Sequence, residues 1–175
     1  MKKRALDLLE WYEALVFALV LFVVGFSFLF RIILVNGSSM HPTLEPNDRL
    51  IIHAAGYQPQ RGDVIVLDAY IDYVKPLVKR IIALGGDTVD IDAATGTVSV
   101  NGQALQEDYI AEPIRVMGDV EFPLVVPDGT VFVLGDNRNG STDSRDSDVG
   151  CVDARDVLGK AVFRISPFDR MGVIQ

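Results

Sequence analysis

Three short stretches of the chain carry residue types that could do chemistry. The first, Asn36-Gly37-Ser38-Ser39-Met40-His41-Pro42-Thr43-Leu44, sets two hydroxyls beside a glycine that lets another backbone come close, and Pro42 stiffens the exit. The second, Val78-Lys79-Arg80-Ile81-Ile82, puts a lysine into an otherwise apolar run. In a strand, alternation sends Lys79 and Arg80 to opposite faces, so one of the two cations points toward apolar surroundings. A desolvated lysine favours its neutral form and can act as a base, whereas an edge-strand lysine only discourages aggregation. The third, Gly135-Asp136-Asn137-Arg138-Asn139-Gly140-Ser141-Thr142-Asp143-Ser144-Arg145, gathers turn-formers, acids and arginines. Each also has a plainer reading: a Ser-rich turn, an edge lysine, and a solvated loop of Asx turns and Asp–Arg pairs.

Other chemistries fit less well. The third stretch lacks the Asp-x-Asp-x-Asp-Gly spacing and closing Glu of a calcium loop. One cysteine, Cys151, and two histidines supply too few soft ligands for a zinc cluster, so neither metal nor cofactor is expected. Cys151 reads as a structural core cysteine. His41 and His53 stand in settings that suggest surface or half-buried side chains rather than an oriented base. With 16 Lys+Arg against 24 Asp+Glu, the net charge of -8 lacks the footprint of a nucleic-acid binder.

The elements that must position these stretches divide the 175 residues in two. The mean hydropathy of +0.27 is high for so acidic a chain, and its source is local. Residues 14–30 carry no charge, and after Arg31 the apolar run resumes to Val35. As a helix, residues 14–35 would be about 33 Å long, enough to cross a bilayer core, with Arg31 snorkelling from the last turn. Trp11 and Tyr12 mark the other edge. The run is too long for a cleaved signal peptide and no small-x-small site follows it, which favours a retained anchor. Lys2, Lys3 and Arg4 precede it, so residues 1–13 are expected in the cytoplasm and residues 36–175 outside.

Those last 140 residues carry 12 Lys+Arg and 21 Asp+Glu, a net charge of -9. Strands are expected at 49–53, 63–68, 78–84, 88–92, 97–100, 122–126, 130–134 and 158–165, with hairpin signals at Asn101-Gly102 and Asp128-Gly129. No long segment of helical period follows the anchor, so the class is mainly β and antiparallel. On composition alone, residues 138–148 are an exposed loop.

Taken together, the segments resemble the bacterial type I signal peptidase family, membrane-bound serine endopeptidases, in its Gram-positive form. The resemblance covers nearly the whole chain. It rests on the anchor, Ser39-Met40-His41-Pro42-Thr43-Leu44, Arg-Gly-Asp-Val-Ile-Val at 61–66, Lys-Arg-Ile-Ile-Ala-Leu-x-Gly-Asp at 79–87, and the run 135–145. The resemblance implies Ser39 as nucleophile, Lys79 as general base, Ser141 as the residue orienting the lysine, and Asp143 with Arg145 as a structural pair. It implies shallow apolar pockets for an Ala-x-Ala sequence, at Ile33, Val35, Met40, Leu44, Leu77 and Val78. The implied partners are signal peptides of preproteins and membrane lipid, downstream of the secretion translocon.

Two departures stand out. Gly37 replaces a serine that helps form the oxyanion hole in many Gram-negative relatives, leaving the Ser39 N–H and the Ser38 hydroxyl as candidates. Leu84-Gly85-Gly86-Asp87 replaces the usual Leu-Pro-Gly-Asp. A Ser/Lys self-cleaving repressor would share the dyad, but an apolar run occupies the place of its DNA-binding domain.

Overall fold

The computed structural model describes residues 2–68 and 76–174, and only the backbone of residues 2–8, so the side chains of Lys2, Lys3 and Arg4 lie outside the described residues. Helix α1 (Lys2–Leu29) opens the chain. Its apolar part, Leu9–Leu29, is 21 residues long, about 31 Å at the helical rise, and none of it is buried against the protein.

The expected helix over residues 14–35 stops short of Val35. Phe30–Leu34 forms strand β1 instead, in register with β2 (Arg49–His53) from Phe30↔His53 to Leu34↔Arg49. The physical reason is lateral pairing. The β-branched pair Ile32-Ile33 suits a strand, Ile33 packs on the core, and the N–H of Ala54 caps the end of the helix at Leu29 O, 3.0 Å away. Arg31 is therefore an exposed strand residue, and the apolar helix sits nearer the N-terminus than the residue pattern suggests.

The remaining strands are β3 (Val64–Leu67), β4 (Leu77–Leu84), β5 (Thr88–Ile91), β6 (Val98–Val100), β7 (Gln103–Ala104), β8 (Leu124–Val125), β9 (Thr130–Leu134), β10 (Val152–Asp153), β11 (Val157–Ser166) and β12 (Gly172–Val173). One sheet runs β1-β2-β11-β3-β4-β9-β10, with β12 beside β11, and a smaller one runs β7-β6-β5-β8. Every pairing is antiparallel, as expected. All eight expected strands form; β1, β7, β10 and β12 are additional. At the tip of the β6–β7 hairpin Asn101 and Gly102 both take positive φ, 52° and 77°, as a tight turn of right-handed twist requires.

Three apolar clusters fill the fold. One lies under β1, β2, β3 and β11 and contains Val35, Met40, Leu44, Leu50, Ile52 and Val78. A second joins the small sheet to Ile82, Ala83, Phe132 and Leu134, and Cys151 packs against it half-buried and unpaired. The third covers the opposite side of β3 and β4 through Ile65, Leu67, Ile81 and Val133. The small sheet is thus an insertion between β4 and β9, the two strands that carry the lysine and lead into the third polar stretch.

Candidate active site

Ser39 stands on a turn that leaves β1. Two backbone bonds, Val35 N–H to Asp48 O and Asn47 N–H to Val35 O, both 2.9 Å, close the base of the loop. Met40 and Leu44, a turn apart and fully buried, pin the turn into the first cluster, with Leu44 N–H donating to Met40 O at 2.9 Å. The apolar residues of the motif therefore fix the turn while Ser39 stays partly accessible.

Lys79 lies in the middle of β4, paired with Ile65 of β3, and only 1% of it is exposed. Its Nζ donates to Ser39 Oγ across 2.9 Å. Burial in apolar surroundings lowers the Lys79 pKa to about 8, against upward pulls from Asp143 and Asp136 and a further downward push from Arg145. Once Nζ is neutral, the same geometry lets the Ser39 hydroxyl donate to it, which is the arrangement a serine nucleophile needs.

The third stretch is where composition misleads. Residues 138–148 are irregular, but Arg138, Asp143, Ser144 and Arg145 are buried, so the loop is not the solvated one expected from its polarity. Burial is possible because the charges neutralise one another. Asp143 accepts from Arg145 Nε at 2.8 Å and Nη2 at 2.9 Å, and also from the Gly135 N–H at 2.9 Å. This forms the expected Asp143–Arg145 pair. Asn137 reaches the Ser39 turn twice, from its N–H to Ser39 O at 3.0 Å and from Nδ2 to Ser38 O at 3.1 Å. Gly135 passes so close to Ser39 O and to the Ser141 side chain that a Cβ there would collide with both.

Ser141 departs from its expected bond. Its buried Oγ makes no hydrogen bond among the described residues, so the lysine-orienting contact is not formed here. Among the expected pocket residues, Ile33, Val35, Met40, Leu44 and Val78 share the first cluster. Leu77 does not join them: strand alternation turns it to the third cluster, one position from Val78. Neither histidine approaches the role of base. His41 Nδ1 pairs with Glu45 at 2.7 Å on the surface, and the His53 ring packs on Phe30 with centroids 5.7 Å apart. Among the described residues no group of three His, Cys, Asp or Glu side chains could hold a metal.

Several residues of the site carried no assigned role in the sequence. Arg80 and Lys79 do leave β4 in different directions, yet both are buried. Arg80 forms a two-pronged pair with Asp136, Nε to Oδ1 and Nη2 to Oδ2 at 2.8 Å each. Asp136 Oδ2 also accepts the Thr43 hydroxyl at 2.5 Å, so one carboxylate joins all three polar stretches. Asp48, fully buried, takes Arg164 at 3.1 Å and Arg170 at 2.8 Å, and Arg164 Nη1 donates to Thr43 O at 3.0 Å. The usable signal was Arg80 itself: a buried arginine needs a carboxylate, but sequence distance does not point to Asp136, which lies 56 residues away, farther than Asp63 and Asp87.

Comparison with known proteins identifies a family. The family model described as signal peptidase, peptidase S26, matches residues 8–166. The chain is 37% identical over 176 residues to signal peptidase I of Bacillus licheniformis, covering 94% of this chain and 92% of that protein. It is 40% identical over 149 residues to signal peptidase I of Leptolyngbya laminosa, covering 79% and 70%. A crystal structure of a signal peptidase I from Enterococcus faecalis V583 superposes with a TM-score of 0.50 at 33% identity, over 61% of this chain and 98% of that one.

Proposed function

The chain belongs to the signal peptidase family, peptidase S26, and from that premise we propose that it is a membrane-anchored serine endopeptidase that removes signal peptides by a Ser39/Lys79 dyad. The observation that carries the reading is the 2.9 Å contact between a buried lysine, its pKa lowered to about 8, and a partly accessible serine hydroxyl. Neutral Lys79 takes the proton as Ser39 Oγ attacks the scissile carbonyl. The amine of the mature chain leaves with a proton from the lysine, and the signal peptide remains as an ester on Ser39. A water activated by Lys79 then hydrolyses the ester.

The Ser39 N–H and Ser38 hydroxyl make no hydrogen bond among the described residues and are the open donors for the oxyanion. A well-placed donor of this kind is worth roughly 3–4 kcal/mol in studied hydrolases. For recognition, Ile33, Val35, Met40, Leu44 and Val78 form a floor that is already packed, which suits small side chains of the Ala-x-Ala type.

Placement at a membrane has support beyond the helix. The register Ile32↔Ile51↔Phe163↔Val173 sets four apolar residues in one row across β1, β2, β11 and β12, with Ile32 64% and Val173 73% exposed. Phe168, on the turn before β12, is 85% exposed. An apolar row continuous with the end of the anchor helix is a surface to rest on lipid. The basic residues ahead of the helix favour a cytoplasmic N-terminus, with Ser39 at the outer face of the bilayer.

Because protonated Lys79 cannot accept a proton, kcat/KM should rise with pH through a midpoint near 8 and fall off on the acid side. A rate that stays flat between pH 6 and 9 contradicts this role. The unpaired Ser141 hydroxyl is left to bond Lys79 Nζ only once substrate fills the site, so Ser141→Ala should lower kcat by about 10- to 100-fold while leaving the melting temperature of the free enzyme unchanged or higher. Wild-type kcat in that variant leaves Ser141 without a part. The function itself is tested by incubating the purified protein and Ser39→Ala with one preprotein and mapping the new N-terminus. Cleavage by wild type alone, after a small-x-small sequence, is the expected result.

A further inference from the structure

We propose that residues 105–117, an irregular segment of the insertion between β4 and β9, are a strap that positions both partners of the dyad, with Tyr109 and Glu107 as its positioning residues. The inference rests on the Ser39/Lys79 reading and extends it to a part of the chain outside the catalytic motifs.

The strap meets the site from behind. The ring of Tyr109 lies under the Arg80 guanidinium, whose central carbon is 4.0 Å from the ring centroid. The edge of Arg80 bonds Asp136, and its Nη1 bonds Gly62 O at 2.8 Å, so the ring covers a face those bonds leave open. The Tyr109 hydroxyl donates to Glu107 Oε1 at 2.7 Å. Glu107 accepts both terminal nitrogens of Arg138, at 2.8 and 2.5 Å, and Arg138 Nε donates to Gly135 O at 3.1 Å. One line of contacts therefore runs from the base strand, through Tyr109 and Glu107, to the glycine packed against Ser39 O.

A second attachment holds the far end of the strap. Asn139 Oδ1 accepts the N–H groups of Arg115 and Val116 at 2.7 and 3.2 Å, and its Nδ2 donates to Pro113 O at 3.0 Å. Arg145 Nη1 donates to Val116 O at 2.6 Å. Leu105, Ile114 and Met117 anchor the strap in the second cluster. A segment outside the strands, with backbone bonds toward the small sheet, among the described residues, only from Leu105 N–H to Val98 O and from Ile114 N–H to Gly96 O, is thus held at both ends and in its core.

What it holds is the distance between the dyad atoms. Arg80 fixes Asp136, which takes Thr43 from the nucleophile turn; Arg138 fixes Gly135, beside Asn137 and Ser39 O. A displacement of about 1 Å at a reacting pair can cost on the order of 100-fold in rate. The charge around Lys79 responds as well. Asp143, Asp136 and Arg145 act on it from the catalytic loop, with Arg80 next to it on β4. A looser Arg80 leaves Asp136 less neutralised, and Lys79 then holds its proton more tightly.

The test compares Tyr109→Leu with Tyr109→Phe in the full-length protein in detergent, beside wild type and Ser39→Ala. Tyr109→Leu should lower kcat by about 10- to 100-fold with KM within about threefold of wild type, and Tyr109→Phe, which keeps the ring, should lose far less. Lysine-selective NMR of Lys79, which needs no turnover, should show its midpoint moved upward in Tyr109→Leu by about half a unit or more. Glu107→Gln, which keeps the shape but removes the charge facing Arg138, gives a second route to the same kcat loss. An unmoved Lys79 midpoint, or wild-type kcat in both Tyr109→Leu and Glu107→Gln, overturns the strap. Absence of cleavage by wild type, or cleavage by Ser39→Ala, overturns the dyad reading instead, and the NMR midpoint still decides the strap.

Discussion

Ser39→Ala and Lys79→Met are each expected to lower kcat for preprotein cleavage by about ten-thousand-fold or more, with KM little changed. The serine variant removes the atom that carries the acyl group, and the lysine variant removes the only base in hydrogen-bond contact with it among the described residues. The losses should not add, because the two side chains act as one unit; the double variant should be about as slow as either single one. Both variants should fold. Ser39 is partly accessible, and methionine fills the space of a lysine stem in a site whose burial already disfavours the charge. Substantial turnover by a folded Lys79→Met would transfer the role of base to another group.

The second large effect belongs to a residue away from the reacting atoms. Arg80→Met leaves Asp136 fully buried without its counter-ion, and should destabilise the fold by about 3–5 kcal/mol, with a melting temperature lower by about 10 °C. The double variant Arg80→Met/Asp136→Leu removes the uncompensated charge and should recover much of that loss. Activity should not recover, because the Thr43 hydroxyl no longer has its acceptor and the nucleophile turn loses its tie to β4. Recovery of both stability and activity would reduce the pair to packing alone.

Much of this architecture is legible from residue pattern. The runs at 49–53 and 130–134 form the expected strands with the expected ends, because alternation and β-branching act locally. The helix end was not legible: Phe30–Leu34 is apolar enough to continue the span, and what makes it a strand is a partner 19 residues further on, Arg49–His53. Burial of Arg138, Asp143, Ser144 and Arg145 was hidden for the same reason. Asp and Arg read as solvated unless their partners are known: the carboxylate that neutralises Arg138 lies in the strap, at Glu107, and Arg145, besides Asp143, also needs the Val116 carbonyl. Lys79 stood out because it breaks the apolar character of its strand, whereas Ser39, next to Ser38 in a Ser-rich turn, was singled out by the family resemblance. Leu77 packs apart from the other five apolar residues because a one-residue step from Val78 reverses the face of a strand.

In the Ser39/Lys79 reading, Ser39 becomes acylated only when Lys79 is neutral. That dependence is tested most directly by rapidly quenching turnover of a preprotein at several pH values and locating the covalent adduct by peptide mass spectrometry. The expected adduct is signal peptide esterified to Ser39, forming at a rate that rises through pH 8, with none in Lys79→Met. An adduct on another residue, or an acylation rate indifferent to pH and to Lys79, would contradict it.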